Sequence, residues 1–357
     1  MKNKKMQLVT VCLFCGFLGI MGILYGVLPK QEFSDLEKRY LKEPPELTAR
    51  TLSTGDWGAG VEEYLADHMP GRDFFVGLNA YWEKLTGRQM TKDIRVSGDA
   101  LREAPQKADP EAVEKNLRSI GVFLEKAGKP ADLMIIPSAG FAEGLAGYHD
   151  GEIIEDIYRQ AGEDLNCIDL TGVLTGGDFY RTDHHWTSEG AWKAYRLYGE
   201  ACGKPVRTEF QKEAFGPFRG STYSRSGLWL TPGENVELWT GSENLQVTVG
   251  EDTRQGIFWR ENLEKPDMYT VFLGGNHPLV RIRNPEKTGK LLVIRDSYSN
   301  CLGGFLAESF GEVVLLDLRY YKQPAAALAQ QEDFDRILIC YGLGNFLNDR
   351  NLVFLQR

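Results

Sequence analysis

The chain is dominated by short apolar runs that alternate with amphipathic segments. Runs such as "ADLMII", "KLLVI" and "EVVLL" are almost entirely apolar, and each precedes a segment with apolar residues at helical spacing. Continuous apolar runs of this length are typical of parallel strands that are covered on both faces. The pattern from residue 93 to about 204, and again from about 289 onward, therefore predicts an α/β fold with a parallel sheet and right-handed crossovers.

A different pattern occupies residues 205–288. This segment is rich in Gly, Thr and Trp, and its apolar residues alternate with polar ones in short runs such as "LQVTVG" and "YTVFLGG". Alternation with a period of two, bounded by turn residues, predicts strands with one covered face. We interpret the segment as a β-rich insertion in the α/β domain.

The N-terminus contains a long uncharged stretch. The basic tip "MKNKK" is followed by Leu8 to Leu28, in which no residue is charged. At about 1.5 Å per residue this stretch spans roughly the 30 Å of a hydrocarbon layer, which predicts a transmembrane helix. Because basic residues stay inside, we expect residues 1–29 to form a cytoplasmic tip and membrane anchor, with the rest of the chain outside the cytoplasm. A cleaved signal peptide is the alternative, but residues 26–31 offer no small-x-small cleavage site.

The region after the anchor predicts a stalk and then helices. Residues 30–56 are polar, contain a Pro pair and predict an extended stalk that leads to a catalytic domain at 57–357. Two helices separated by Pro70-Gly71 open that domain. In the second helix, residues at helical spacing predict an apolar face packed into the core: Phe74, Phe75, Leu78, Tyr81, Trp82 and Leu85.

Net charge and cysteine spacing argue against nucleic acid as the main partner and against a cysteine-based zinc site. The 357 residues have a net charge of −9, without a long basic run after the N-terminus. Phosphate binding depends on clustered Lys and Arg, so nucleic acid is not expected as the main partner. The cysteines beyond the anchor form no C-x-x-C pair, which argues against a zinc site: Cys167, Cys202, Cys301 and Cys340.

Titratable residues are concentrated in "RTDHHWTSEG", residues 181–190. The chain has only five His, and two of them lie here, just before a predicted helix that Thr187 caps. A second candidate is Ser297, at the turn where the apolar run of "LLVIRDSYSN" meets the next helix. In an open α/β sheet, ligands bind at the carboxyl ends of strands, and such turns expose a hydroxyl there.

These residues have the types that nucleophilic catalysis needs. A hydroxyl requires a base within hydrogen-bond reach, and the base requires a carboxylate that holds its tautomer. We expect His185 to take the Ser297 proton and Asp183 to orient the imidazole. The turn in "FLGGNHPLV" adds Gly275 and Asn276 as candidate donors to an oxyanion, each worth about 3–4 kcal/mol of barrier.

"TDHHW" followed by "KLLVIRDSYSN" resembles the signature of the DHHW family. That family is related to the alginate O-acetyltransferases of the AlgJ and AlgX type, within the SGNH hydrolase-like superfamily. Its pattern, D-x-H-W with a later D-S-[YF], falls on Asp183, His185 and Ser297, with Tyr298 at the last position. "EFSDLEKRYLKEPPELT" and "VVLLDLRYY" also resemble family segments.

The resemblance implies a three-layer α/β/α fold with permuted motifs, because the Asp-His pair precedes the Ser. It implies a membrane-anchored O-acetyltransferase that acts outside the cytoplasm on a cell-surface or secreted polysaccharide, through an acetyl-serine intermediate and without a cofactor. It also implies a partner, a multi-spanning membrane-bound O-acyltransferase that exports the acetyl group. Arg295 departs from the family, which usually has Gly two residues before the nucleophile.

Several further interpretations stay open. Trp186 is either a packing residue or a sugar platform, and Arg295 and Tyr298 are additional candidates for oxyanion or substrate contacts. The titratable cluster can instead cap the helix after Thr187, and Ser297 can cap its own helix. A metal site is another alternative, although adjacent His side chains usually point apart; its ligands would be His184, His185, His277 and Asp296. The alternative functions are a polysaccharide acetylesterase and a non-catalytic polysaccharide-binding scaffold.

Overall fold

The structure is a computed structural model that describes residues 2–34, 39–162 and 165–357. The chain divides into two compact units: Met1–Lys92 with Ser224–Leu230, and Asp93–Tyr223 with Thr231–Arg357. The helices in the described ranges are α1 (Lys2–Val27), α2 (Ala49–Thr54), α3 (Asp56–Asp67), α4 (Arg72–Leu85), α5 (Pro110–Ala127), α6 (Ala139–Ala142), α7 (Asp150–Ala161), α8 (Ser188–Ala201), α9 (Ser221–Ser226), α10 (Ser299–Leu306), α11 (Ala325–Gln331) and α12 (Leu343–Asn348). The strands are β1 (Phe33–Ser34), β2 (Arg39–Tyr40), β3 (Met90–Thr91), β4 (Ile94–Ser97), β5 (Ala100–Glu103), β6 (Ala131–Ile136), β7 (Asn166–Asp169), β8 (Gln211–Phe218), β9 (Glu234–Thr240), β10 (Gln246–Val249), β11 (Asp252–Gln255), β12 (Leu279–Arg283), β13 (Lys290–Arg295), β14 (Glu312–Leu316) and β15 (Arg336–Gly342).

The second unit is built around an eight-stranded sheet with the order β11-β10-β12-β14-β13-β15-β6-β7. The five strands from β14 to β7 run parallel, whereas β12, β10 and β11 are antiparallel to their neighbours. The predicted α/β fold with a mostly parallel sheet is confirmed. Parallel pairing brings the carboxyl ends of β14, β13, β15, β6 and β7 to one edge, and that edge contains the candidate site.

The apolar run of β13 shows why this sheet needs two covering layers. Leu291 and Val293 belong to one buried cluster, and Leu292 and Ile294 belong to another. Successive side chains of a strand point to opposite faces, so both faces of β13 must be buried. Burial of each such side chain contributes roughly 1.5–3 kcal/mol to the free energy of unfolding.

Helices cover both faces of the sheet and complete the predicted three layers. The first cluster includes residues of α8 and α10, and the second includes residues of α5, α7, α11 and α12. Local sequence sets the helix ends. For example, Asp109 caps α5 by accepting the backbone N–H of Glu111, Pro110 occupies its first position, and Gly128 ends it with a φ of +61°.

The segment predicted as a β-rich insertion, residues 205–288, contains β8 to β12. However, β10, β11 and β12 are part of the main sheet rather than a separate insertion. β12 pairs with β14, and Val280 and Ile282 bury their side chains in the first cluster. Alternation along the sequence predicted the strands correctly, but it contains no information about which strand each one pairs with.

Two predicted boundaries differ from the structure. The segment 30–56, predicted as an extended stalk, contains the helix α2, which Thr48 starts by accepting the backbone N–H of Thr51. The extended prediction is therefore wrong for these residues, while positions 35–38 of the stalk lie outside the described residues. The compact unit that contains the sheet begins at Asp93, whereas the sequence prediction starts the catalytic domain at residue 57.

The first unit begins with an apolar helix, as predicted. Residues Lys4–Val27 of α1 are long and apolar enough to cross a membrane, and the most apolar part of this helix is not buried within the protein. A membrane anchor and a signal sequence both fit a helix with these properties.

The apolar side of α4 is arranged differently from the prediction. Its buried residues are the small Gly77 and Ala80, and a Cβ at Gly77 would lie 1.7 Å from the ring of Trp229. Exposed fractions of 57%, 52%, 65% and 82% are found at Phe74, Leu78, Trp82 and Leu85. The predicted core face is therefore wrong for these four residues, because small side chains and not large ones permit the close approach of Trp229.

Candidate active site

Ser297 lies in the turn between β13 and α10, at the carboxyl edge of the sheet. The preceding residue, Asp296, fixes this turn through both carboxylate oxygens. Its Oδ1 accepts the backbone N–H of Tyr298 at 3.0 Å. Its Oδ2 accepts the backbone N–H of Gly342 at 2.8 Å and the side-chain amide of Asn345 at 2.7 Å. Asp296 thus ties the Ser297 turn to the end of β15, which makes the position of the hydroxyl rigid.

Asp183, His185 and Ser297 form one hydrogen-bonded chain. Nε2 of His185 lies 2.8 Å from Oγ of Ser297, and Nδ1 lies 2.5 Å from Oδ1 of Asp183. The same Oδ1 accepts the backbone N–H of His185 at 2.9 Å, and all three side chains are buried. This is the geometry in which an imidazole can take a hydroxyl proton while a carboxylate stabilises the imidazolium.

The carboxylate of Asp183 is held by a second segment of the chain. Its Oδ2 accepts the backbone N–H of Ser221 at 2.6 Å. Gly220 lies so close that an added Cβ would be 2.2 Å from this oxygen. Burial alone would raise the pKa of Asp183, but the neighbouring His185 and His184 and the N–H of Ser221 outweigh it and hold the pKa well below its usual value. Asp183 therefore stays ionised.

The ring of His185 packs against the ring of Tyr269. The two planes are 7° from parallel, with centroids 3.9 Å apart. The ring of Tyr298 meets the same imidazole nearly edge-on, at 5.1 Å. The hydroxyl of Tyr269 is buried without a hydrogen-bond partner among the described residues, and burial raises its pKa well above the usual value. Tyr269 therefore contributes a neutral surface that fixes the plane of His185.

His184, whose role was open from the sequence, lies directly beside His185. Their ring centroids are 3.8 Å apart, so the adjacent side chains do not point apart as expected. Nδ1 of His184 lies 2.6 Å from Oγ of Ser221. Burial, and then the proximity of His185, lower the pKa of His184 despite the opposing effect of Asp183. The neutral imidazole is favoured as a result.

Arg295 is fully buried and organises a polar network next to Ser297. Its Nη1 donates to Oδ1 of Asn300 at 2.6 Å and to Oδ1 of Asn276 at 3.3 Å. Asn300 donates to the same oxygen of Asn276 at 3.0 Å. Asp317, 3.9 Å away, balances the guanidinium charge. Because Oδ1 of Asn276 accepts two hydrogen bonds, its amide nitrogen is directed away from this network.

Three sequence candidates for oxyanion or substrate contacts have other roles here. The N–H of Gly275 donates to the carbonyl oxygen of Phe272 at 3.2 Å, so a closed turn uses the predicted donor. Trp186 is completely buried, and its Nε1 donates to the carbonyl oxygen of Tyr298 at 3.1 Å. Tyr298 is also buried and donates its hydroxyl to the carbonyl oxygen of His184 at 2.7 Å. Both aromatic side chains pack the site and use their polar atoms for hydrogen bonds within the protein, as Arg295 does.

The helix-capping alternatives do not account for the site. α8 is capped as predicted by Thr187, whose Oγ1 accepts the N–H of Gly190 at 3.3 Å, and not by Asp183. α10 begins after Tyr298 without a side-chain cap, and the Oγ of Ser297 is engaged by His185 instead. Thr187 caps α8 and no side chain caps α10, so helix capping does not explain the positions of Asp183 and Ser297.

One feature of the structure supports a metal site here, and two others argue against it. Asp183, His184 and His185 offer ligand-type atoms that all lie within 4.8 Å of one another. Both ring nitrogens of His185 are already used, for Asp183 and for Ser297. The carboxylate of Asp296, a further ligand in that alternative, is occupied by three hydrogen bonds in the Ser297 turn. The arrangement favours proton transfer over metal binding.

Beside the Ser297 turn, at the same edge of the sheet, lies a polar cavity of about 310 Å³. Its lining contains amide and charged side chains: Asp296, Arg319, Tyr341, Asn345, Asn348, Asp349, Arg350 and Asn351. Side chains of these types supply the donors and acceptors that sugar hydroxyls require. We refer to this space as the polar cavity.

Sequence reasoning missed several residues of the site. Ser221, Gly220 and Asn300 contact it through side-chain or backbone atoms, and Tyr269 stacks on His185. Ser221 and Gly220 lie more than thirty residues from Asp183, in the segment 205–288 that the sequence predicts as a β-rich insertion. Only Asn300 could have been predicted from the sequence, because it follows Ser297 by three residues and therefore lies about one helical turn away from it.

The sequence comparisons can be placed on this geometry. Residues 176–316, which contain the three hydrogen-bonded residues, match the family model described as DHHW protein. The resemblance to DHHW proteins is confirmed. None of the curated proteins with which the chain was compared is similar to it.

Solved structures give the same result for the fold. A DHHW family protein from Eubacterium siraeum is 20% identical, with a TM-score of 0.62 over 74% of this chain and 97% of that one. PatB1 of Bacillus cereus, solved with a sulfonyl adduct, is 17% identical, with a TM-score of 0.61 over 74% and 98%. A second structure of Bacillus cereus PatB1 is 18% identical, with a TM-score of 0.59 over 74% of this chain and 99% of that one. These similarities show that the chain shares the fold of DHHW proteins and PatB1.

Proposed function

We propose that this protein is a membrane-anchored O-acetyltransferase that acts outside the cytoplasm on a cell-surface or secreted polysaccharide. The observation that supports the proposal most directly is the chain of hydrogen bonds from Ser297 through His185 to Asp183. A buried hydroxyl, imidazole and carboxylate in this order favour acyl transfer through a covalent intermediate. No metal ion or organic cofactor takes part in the proposed reaction.

In the first half-reaction, Oγ of Ser297 attacks the carbonyl carbon of an acetyl ester or thioester donor. The hydroxyl proton moves to Nε2 of His185, which lies 2.8 Å away. Asp183 stabilises the imidazolium through Nδ1. The tetrahedral intermediate then collapses, the bond to the leaving group breaks, and the leaving group takes the proton from His185. The products are acetyl-serine and the free leaving group.

Two donors are available for the negative oxygen of the tetrahedral intermediate. Among residues 2–34, 39–162 and 165–357, no group accepts the backbone N–H of Ser297. Asn276 supplies the second donor, since Arg295 and Asn300 engage its Oδ1 and leave its amide nitrogen free to donate. In this proposal Asn276 stabilises the oxyanion and Arg295 positions it. Each donor contributes about 3–4 kcal/mol to lowering the barrier.

In the second half-reaction, a sugar hydroxyl attacks the acetyl carbon. Its proton passes to His185, the second tetrahedral intermediate collapses, and Ser297 recovers its proton as the acetylated sugar leaves. The polar cavity supports a saccharide acceptor, because it contains amide and charged side chains and because Asp296, the residue before Ser297, is part of its lining. If water enters in place of the sugar, the same steps release acetate, as in an acetylesterase.

The remaining parts of the proposal concern location and partners. The apolar helix α1 supports anchoring in the membrane, with the sheet-containing unit on the outer side. An acetyl donor outside the cytoplasm has to be exported, so we propose a multi-spanning membrane-bound O-acyltransferase as the partner that delivers the acetyl group.

The test uses the full-length protein in detergent with p-nitrophenyl acetate as donor and an oligosaccharide as acceptor. We expect turnover in the wild type and a fall of about 10³-fold or more in Ser297→Ala and in His185→Ala. A sulfonyl fluoride should modify the wild type at one site, as measured by mass spectrometry, and leave Ser297→Ala unmodified.

Four outcomes would contradict the proposal. Turnover that survives both substitutions would reject the triad. Activity that EDTA abolishes and zinc restores would favour a metal site built on Asp183, His184 and His185. Glycan binding without turnover or sulfonylation would favour a polysaccharide-binding scaffold. Acetate release without transfer to any oligosaccharide would instead identify an acetylesterase.

A further inference from the structure

The imidazole of His184 leaves one nitrogen open beside the hydrogen-bonded triad. Its Nδ1 lies 2.6 Å from Oγ of Ser221, but its Nε2 has no hydrogen-bond partner in the described part of the chain. The side chain is 23% exposed, compared with 8% for His185, so Nε2 can be reached from solvent. By contrast, Nε2 of His277, which also has no partner there, is buried. An accessible polar atom of this kind can bind a ligand at no cost to the protein's own hydrogen bonds.

The orientation of His184 places this nitrogen on the same side as the catalytic nitrogen of His185. Nδ1 of each ring approaches Oδ1 of Asp183, at 3.7 Å for His184 and 2.5 Å for His185. The two ring planes are 38° from parallel, with centroids 3.8 Å apart. Since both Nδ1 atoms lie at one end of the ring pair, both Nε2 atoms lie at the other end, where His185 faces Ser297.

His184 is fixed both at its ring and at its backbone. Ser221 holds Nδ1 through its hydroxyl, and the backbone N–H of Ser221 is itself bound to Oδ2 of Asp183 at 2.6 Å. The carbonyl oxygen of His184 accepts the hydroxyl of Tyr298 at 2.7 Å. A group that is already held in place loses little further freedom when it binds a ligand, and this favours binding.

A hydroxyl group suits Nε2 of His184 in either tautomer. The Ser221 hydroxyl can donate to Nδ1, which leaves Nε2 protonated as a donor, or accept from Nδ1–H, which leaves Nε2 as an acceptor. A sugar hydroxyl both donates and accepts, so it pairs with both forms. Burial, and then the proximity of His185, lower the pKa of His184 and favour the neutral ring. A neutral ring makes an anion a poorer partner than a hydroxyl.

We propose that Nε2 of His184 binds the acceptor sugar through a hydroxyl next to the one that is acetylated. The inference rests on the proposed function and specifies its acceptor, a saccharide with hydroxyls on adjacent ring carbons. One hydroxyl gives its proton to Nε2 of His185 and attacks the acetyl carbon on Ser297, while its neighbour pairs with His184. The bond from the acetyl carbon to Oγ then breaks, and Oγ recovers the proton from His185. The ring pair, with centroids 3.8 Å apart, holds the two nitrogens at a spacing that adjacent hydroxyls can bridge.

The experiment uses the full-length protein in detergent, p-nitrophenyl acetate as donor and three acceptor probes. The probes are a cyclohexanediol with adjacent hydroxyls, a cyclohexanediol with hydroxyls on opposite carbons, and cyclohexanol. Mass spectrometry measures the ratio of ester formed to acetate released. Both products come from the same acetyl-serine, so this ratio does not depend on the rate of the first half-reaction. We expect the wild type to favour the adjacent diol over the opposite diol by about threefold to tenfold, the effect of one neutral hydrogen bond.

Two substitutions of His184 distinguish the roles of its two nitrogens. The amide of Asn extends about as far as Nδ1, whereas the longer side chain of Gln extends about as far as Nε2. We therefore expect His184→Asn to lose the preference for the adjacent diol and His184→Gln to keep part of it. A purely structural role through Ser221 would give the opposite order, because Asn preserves that contact. His149→Asn is the matched control, since this side chain is largely exposed, and it should keep the preference of the wild type.

The outcomes separate this inference from the proposed reaction. Equal ester formation from the two diols by the wild type would overturn it, and this comparison needs no variant. A preference that persists in His184→Asn, or that is lost only in His184→Gln, would also overturn it. Ser297-dependent hydrolysis without transfer to any probe would reject the inference and leave the acetyl-serine step in place. Turnover that survives Ser297→Ala would reject the proposed function and the inference together.

Discussion

Oγ of Ser297 lies 2.8 Å from Nε2 of His185, although 112 positions separate the two residues. The sheet explains this proximity. Ser297 follows β13, and the segment with His185 follows β7, so the parallel strands deliver both to the same edge. The Asp296 turn and the Asp183 hydrogen bonds then fix the two side chains at a productive distance. The contact is therefore a property of the topology as well as of local sequence.

The first prediction concerns Gly220, which allows the chain to approach Asp183. A Cβ at this position would lie 2.2 Å from the carboxylate, so Gly220→Ala should displace Asp183 and its hydrogen bond to His185. We expect at least a tenfold loss of acetyl-ester turnover and a fall of about 1–3 kcal/mol in the free energy of unfolding. Urea denaturation and steady-state kinetics measure the two effects.

Gly121→Ala is the control for this substitution. Gly121 lies within α5, and an added Cβ there would meet nothing within 4 Å. The change should leave turnover unaffected and raise the free energy of unfolding by about 0.5–1 kcal/mol. Full activity in Gly220→Ala, with its stability unchanged, would show that the close approach to Asp183 is unimportant.

The second prediction separates the ring of Tyr269 from its hydroxyl. The ring stacks on His185, whereas the hydroxyl is buried without a partner among the described residues. Removal of an unsatisfied hydroxyl removes a desolvation cost, so Tyr269→Phe should keep turnover and leave the free energy of unfolding equal or higher. Tyr269→Ala should lower turnover by at least tenfold and cost about 3–5 kcal/mol in stability. Kinetics and urea denaturation of the two variants provide the measurement, and a loss of activity in Tyr269→Phe would assign a chemical role to the hydroxyl.

Much of this fold could be predicted from local pattern. The apolar runs gave β6, β13, β14 and β15, and the D-x-H and D-S-Y spacing gave the three residues that meet at the edge. These features depend on periodicity and residue type, which a single sequence displays directly. The helix at Thr187 was predicted for the same reason, since a cap is a local hydrogen bond.

The features that could not be predicted depend on contacts between distant segments. Nothing in the sequence near Ser221 indicates that its backbone N–H binds the carboxylate of Asp183, 38 positions earlier. The pattern of α4 gave the right period but the wrong covered side, because the close packing of Trp229 on Gly77 decided it. Sequence periodicity defines a face, whereas the partner of that face is a property of the whole fold.

The third prediction is a pH dependence of stability that originates at His184. Burial and the proximity of His185 lower the pKa of this imidazole from 6.5, while the unfolded chain titrates near the usual value. Between the two pKa values the unfolded state binds more protons, so the free energy of unfolding falls as the pH decreases below about 6.5. Asp183 contributes only at lower pH, because its pKa is held well below 3.8.

Urea denaturation at pH 7.5 and 5.5 measures this effect. We expect the fall in stability between the two values to be smaller in His184→Gln than in the wild type. His149→Gln serves as control, since this side chain is largely exposed, and its pH dependence should match that of the wild type. An identical fall in all three proteins would show that protonation of His184 does not oppose folding.

The last prediction tests whether the polar cavity receives the acceptor. Arg350 lines this cavity and lies outside the hydrogen-bond network that holds Ser297, so it can be changed without disturbing the nucleophile. In Arg350→Ala we expect the rate of transfer to an oligosaccharide to fall at least about tenfold. This is the loss expected when a hydrogen bond to a charged group, which contributes roughly 1.5–3 kcal/mol, is removed. Hydrolysis of p-nitrophenyl acetate should stay within about twofold of the wild type, because the small ester does not reach the cavity.

Arg118→Ala, on the exposed side of α5, should change neither rate. An equal fall in transfer and hydrolysis would place Arg350 in support of the triad instead, and no fall in either would move the acceptor site elsewhere along the sheet edge.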